Sequence, residues 1–103
     1  MNAETIERWR KVVEAQPGND LARFSYAKAL FDALKFDEAR AQFESALARK
    51  PDWMVVQILL GRCFLATGDK AGARAAFERG LELAVAQHHE GPQAELEQLL
   101  ADL

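Results

Sequence analysis

Residues 37–50 read DEARAQFESALARK, and residues 71–84 read AGARAAFERGLELA. Laid over one another at a spacing of 34 residues, they share Ala39 with Ala73, Arg40 with Arg74, Ala41 with Ala75, Phe43 with Phe77, Glu44 with Glu78 and Leu47 with Leu81. In the first copy Ala39, Phe43, Ala46 and Leu47 fall on one side of an α-helix, opposite Glu38, Gln42, Glu44, Arg49 and Lys50. A helix with a single apolar stripe must lay it on another element. The same shift pairs Pro17 with Pro51, Ala27 with Gly61, Lys28 with Arg62 and Ala46 with Gly80, so small residues recur opposite small ones. A small side chain at a crossing point lets two helix backbones approach, and the aromatic four residues after Ala39 or Ala73 fills the adjacent groove.

The partner of each such helix precedes it. Residues 54–66 are apolar almost all round, as are 21–34 apart from Arg23, Ser25, Lys28 and Asp32, which is the pattern of helices packed on several sides. Turn signals at 17–19, 35–37, 50–52, 67–69 and 90–92 divide the chain into six helices, predicted over 3–16, 20–34, 37–50, 53–66, 70–88 and 92–102. Asn19 or Asp20, Asp37, Asp52 and Asp69 stand where a side-chain oxygen caps a helix start, and Pro92 suits a first helical position after Gly91. Each unit is then a helical hairpin, and stacking hairpins satisfies both patterns.

Composition excludes several kinds of function. With 13 basic and 16 acidic residues, the net charge of −3 repels a phosphate backbone, so no nucleic-acid partner is expected. Residues 54–66 fall short of the roughly 20 apolar residues needed to span a bilayer, so no membrane partner is expected either. MNAETIERWR lacks the apolar run of a secretory signal, which points to a cytoplasmic location. The single cysteine, Cys63, lies between Arg62 and Phe64 in an apolar helix and reads as a packing residue. Nucleophiles are few and have no base beside them. His88 and His89 are consecutive, so on a helix they diverge by about 100 degrees and do not chelate; they read as helix C-terminal residues. The chain is therefore expected to be no enzyme, with no catalytic residue, no metal and no cofactor.

A 34-residue helical hairpin with Ala-x-x-x-Phe in its second helix and a closing proline resembles the tetratricopeptide repeat. Residues 20–53 carry the resemblance through Ala27, Ala39, Phe43, Ala46 and Pro51, and residues 54–87 through Leu60, Gly61, Phe64, Ala73, Phe77 and Gly80. The chain departs from the pattern where Arg23 and Gln57 replace an early tryptophan, Leu30 a tyrosine and Val85 the closing proline. The loss at Val85 predicts that the last hairpin helix runs on to about His88. The resemblance implies an all-α, right-handed α-solenoid of antiparallel hairpins. The expected organisation of this single domain, 1–103, is a half-repeat helix over 1–18, with Trp9 in the place of Phe43, a first repeat over 19–53 and a second over 54–88. A capping helix over 89–103 follows, with a Leu96, Leu99, Leu100, Leu103 stripe.

The candidate site lies on the first helices. Leu21, Phe24, Lys28 and Phe31 follow a 3, 4, 3 spacing, and Val55, Ile58, Arg62 and Leu65 repeat it 34 residues on. In the family that this chain resembles, such positions line a concave surface facing a bound peptide. The resemblance thus implies an adaptor whose apolar, mildly basic groove takes a short peptide or amphipathic helix of a protein partner. A polar clamp for a chaperone's C-terminal carboxylate is not expected, because Phe24 and Leu59 occupy clamp positions. Two other readings stand beside this one. Phe24 and Ile58 belong to the core or lie under the C-terminal helix, or the chain forms a homo-dimer through the edge of its half repeat, where Ile6, Trp9, Val12 and Val13 make an apolar side.

Overall fold

The computed structural model describes residues 2–103, with side chains from Ala3 onward. Its described residues form six α-helices and no strand: α1 (Asn2–Ala15), α2 (Asp20–Asp32), α3 (Phe36–Arg49), α4 (Met54–Ala66), α5 (Lys70–Ala86) and α6 (Glu90–Ala101). Three to four residues join the helices, which makes successive helices antiparallel neighbours. They group into two units, Met1–Pro51 and Asp52–Leu103. In each the middle helix packs on both others.

In the first unit α2 buries Ala22, Ala27 and Leu30, while α3 buries Ala39, Phe43 and Ala46. Phe43 is fully enclosed, and the rings of Phe24 and Phe31 lie on it at 6.4 and 6.5 Å. Phe31 also meets Phe36 edge-on at 5.4 Å. Polar residues tie the hairpin at its rim. Arg23 donates to Gln42 Oε1 at 2.7 Å and to the Pro17 carbonyl at 3.2 Å, and Arg49 pairs with Asp20 at 2.6 Å. The arginine in place of the early tryptophan therefore still bridges the two helices, by hydrogen bonds rather than by ring packing.

In the second unit α4 buries Val56, Ile58, Leu59, Leu60, Gly61 and Cys63, in keeping with its unbroken apolar run. Ile58, Ala73, Phe77 and Ala84 form a core cluster closed by Leu96 of α6, with Met54, Phe64, Leu81, Leu99, Leu100 and Leu103 packed around it. Gly61 is required there: a Cβ at that position would run into the Phe77 ring. α5 extends to Ala86, two residues short of the expected His88 but well beyond the equivalent end of α3. Just beyond that extension, Gln87 donates to the Asp52 carbonyl at 3.2 Å, two residues before α4 begins.

The hairpin turns and the α5–α6 connection share one construction. The N–H groups of Leu34, Gly68 and His88 donate to Phe31, Leu65 and Val85, and those of Lys35, Asp69 and His89 to Leu30, Phe64 and Ala84. This is the Schellman arrangement, with its left-handed residue at φ 63° for Leu34, 83° for Gly68 and 58° for His88. Asn19 and Asp69 cap α2 and α5 through Ala22 and Gly72 N–H, as expected. Asp37 and Asp52 do not cap. Lys35 and Trp53 hold those positions, and Asp37 lies one residue inside α3, where its charge faces the positive end of the helix. Likewise α6 begins at Glu90, so Pro92 is its third residue, still within the first turn where a missing N–H breaks no helical bond.

Candidate protein-binding faces on the first helices

α2 carries the first set of site residues. Leu21 is 70% exposed, in keeping with its place away from the buried Ala22, Ala27 and Leu30 of its helix. Phe24 and Phe31 are half-buried, each with its ring laid on Phe43, so they are both core and surface. Between them Lys28 donates to Asp32 Oδ1 at 2.8 Å, one turn on along the same helix. The face thus presents an aliphatic group, two ring edges and one local ion pair.

On α4 the repeat of the pattern is split. Val55 and Leu65 are exposed at 41% and 39%. Ile58, which the spacing groups with them, is inside the core cluster under Leu96, so its part in the expected groove is taken by the core reading. Arg62 reaches Glu95 of α6 at 2.5 Å. Both cations of the expected basic rung therefore have a carboxylate partner, and the faces are closer to neutral than their sequence suggested. Glu95 was not legible as that partner, because 33 residues separate the two and only the docking of α6 joins them.

One further residue escaped the sequence reading. Leu34, 72% exposed, follows the last turn of α2, where its N–H donates to the Phe31 carbonyl. The 34-residue shift that sets it over Gly68 was the available signal. Two surface depressions lie elsewhere: one of about 620 Å³ along Glu4, Glu7 and Lys11 of α1, and one of about 540 Å³ along Leu81 and Val85 of α5. Each is lined by one helix alone and encloses nothing. α1 turns Val13 inward and half-buries Ile6, Trp9 and Val12, while Arg10 pairs outside with Glu7 and Glu14.

The tetratricopeptide-repeat profile matches residues 3–52 and 27–95. The chain belongs to the tetratricopeptide-repeat family. It is 36% identical over 92 residues to the TPR repeat-containing protein PA0015 of Pseudomonas aeruginosa, covering 89% of this chain and 86% of that one. It is 31% identical over 80 residues to the Hsp70-Hsp90 organizing protein of Triticum aestivum, covering 78% of this chain but 14% of the wheat protein. The solution structure of protein BPP2914 from Bordetella parapertussis superposes with a TM-score of 0.82 at 31% identity, over 94% of this chain and 84% of that one. Tetratricopeptide-repeat domains generally mediate protein–protein interactions and are generally non-catalytic. No helix among the described residues is long and apolar enough to cross a membrane.

Proposed function

We propose that this tetratricopeptide-repeat chain is an adaptor that binds a short peptide or amphipathic helix of another protein through its first-helix faces. The observation that carries the reading is the α2 strip. Leu21 is left exposed, and Phe24 and Phe31 keep part of their rings at the surface although each has core contacts. Apolar groups at helical spacing on an exposed face are the anchor pattern of helix and peptide recognition. Val55 and Leu65 are exposed at the corresponding places on α4.

Likeness to a segment of the wheat Hsp70-Hsp90 organizing protein raises a co-chaperone role, but not capture of a terminal carboxylate. Phe24 and Leu59 offer no donor, and Leu59 is buried. Self-assembly through α1 gains no particular support from that helix, whose outward side is charged.

Selection from a phage-displayed random peptide library tests the proposal. Enriched sequences should carry apolar residues at helical or alternating spacing, and Leu21→Glu and Leu21→Arg, at a residue 70% exposed, should weaken their binding at least tenfold while circular dichroism stays that of the parent. Peptides that bind both variants as tightly as the parent would remove the strip from the site.

A further inference from the structure

α3 and α5 are equivalent second helices, and they end differently. α3 stops at Arg49 and Pro51 follows; the counterparts 34 residues on are Leu83 and Val85, yet α5 runs past both to Ala86. With no proline to stop it, α5 carries Val85 within its last turn and leaves it 51% exposed. A β-branched residue there adds neither helix propensity nor full burial to the folded chain. One turn earlier on the same side lies Leu81, which packs on the core cluster with part of its surface and is otherwise open. With Ala86 they line the shallow depression of about 540 Å³, whose other walls are Glu78 and Glu82.

One exposed valine needs no explanation, but the charge around this one is one-sided. From Gly80 to Leu103 the chain carries Glu82, Glu90, Glu95, Glu97 and Asp102, and neither lysine nor arginine. Of these, Glu95 is taken by Arg62. Two arginines stand earlier on α5. Arg79 lies 3.6 Å from Glu82 in a pair exposed on both sides, and Arg74 is one turn before Glu78, at the far end of the stripe from Val85. The complement of an apolar pair walled by carboxylates is an apolar anchor flanked by cations. Nucleic acid and anionic lipid are repelled by the same field.

We infer that this end of α5 is a second docking surface, and that its occupant is a protein segment in which apolar residues are flanked by lysine or arginine. Leu81 and Val85, about 6 Å apart along the helix, receive the apolar residues, while Glu78 and Glu82 hold the cations beside them. The surface shares no residue with the first-helix faces, so neither reading depends on the other.

The probe is a capped peptide of about ten residues with two leucines four apart and lysine or alanine elsewhere; its control carries glutamate for each lysine. Each is titrated into 15N-labelled protein at about pH 7.5, above the ordinary titration range of histidine. The lysine peptide should give saturable shifts at Leu81, Glu82, Val85 and Ala86, with a Kd that rises at least about threefold between roughly 50 and 300 mM salt. Val85→Lys, at a half-exposed site, should weaken binding about tenfold. Glu78→Gln combined with Glu82→Gln, both on the surface, should remove most of the salt dependence. Equal affinity for the glutamate peptide would overturn the charge assignment, and an unchanged Kd in Val85→Lys would overturn the anchor. Shifts confined to α2 and α4 would put the peptide on the first-helix faces and overturn the α5 surface alone. Shifts at Leu81 and Val85 on concentrating the protein without peptide would give the surface to a second copy of this chain and overturn the basic partner. No saturable shifts with the lysine peptide would overturn the surface altogether.

Discussion

Tyr26, the sole tyrosine, sits half-buried on α2. Burial pushes its phenol above the ordinary value of 10.0, and the negative charge of Glu38 pushes the same way. A phenol whose pKa is raised on folding contributes stability that is complete below its unfolded value and is lost as pH rises through the folded one. Titration by absorbance at 295 nm should therefore give a midpoint above 10, and Tyr26→Phe should flatten the fall in stability in alkaline solution. A midpoint at or below 10 would contradict the burial described. Position 23 shows how much a single residue reveals before folding. A missing tryptophan there was visible at once, but its replacement by hydrogen bonds to Gln42 and Pro17 depended on the hairpin being closed. Gly61 was the easier case, because a small residue paired by repeat with Ala27 already implied a close approach, which the Phe77 ring supplies.

Among the elements, α6 departs furthest from what its sequence alone conveyed. Its leucine stripe announced a helix that packs on the end of the repeats, and it does so through Leu96, which is fully buried. The stripe did not say that Ile58 would be covered or that Arg62 would find Glu95. Two contributions hold α6, and their sizes differ. Leu96→Ala should cost about 2–4 kcal/mol in urea unfolding, the range for emptying a closed leucine site. Glu95→Gln should cost under about 0.5 kcal/mol, since the pair it breaks is exposed on both sides. The reverse ranking would mean that charge, not burial, keeps α6 in place. The helix ends were read to within two residues, and the shortfalls have a local cause. Asp37 and Asp52 look like caps in sequence, but the Schellman bonds of the preceding turn and the Lys50–Trp53 connection set the first helical residue instead.

For the whole molecule, each of the two units has its own buried centre. That of Asp52–Leu103 contains Ile58, Phe77 and Leu96. A helical stack held by neighbouring contacts can be shortened without losing the local fold of what remains. Residues 52–103 alone should thus keep a helical circular dichroism spectrum, while melting below the full chain because a smaller domain buries a smaller fraction of its surface. A coil spectrum would show that this centre does not sustain itself.

Periodicity and the 34-residue spacing determined the six helices, their pairing into hairpins and the family. All of these follow from residues three and four apart and from a small residue meeting an aromatic one within a single hairpin. The tertiary structure decided which of the expected site residues stay at the surface. Leu21, Val55 and Leu65 remain outside, Ile58 goes in, and both Lys28 and Arg62 acquire carboxylate partners. For Ile58 and Arg62 the reason is where α6 comes to rest: a helix some thirty residues further along the chain buries one and neutralises the other, and no local pattern in α4 encodes that position.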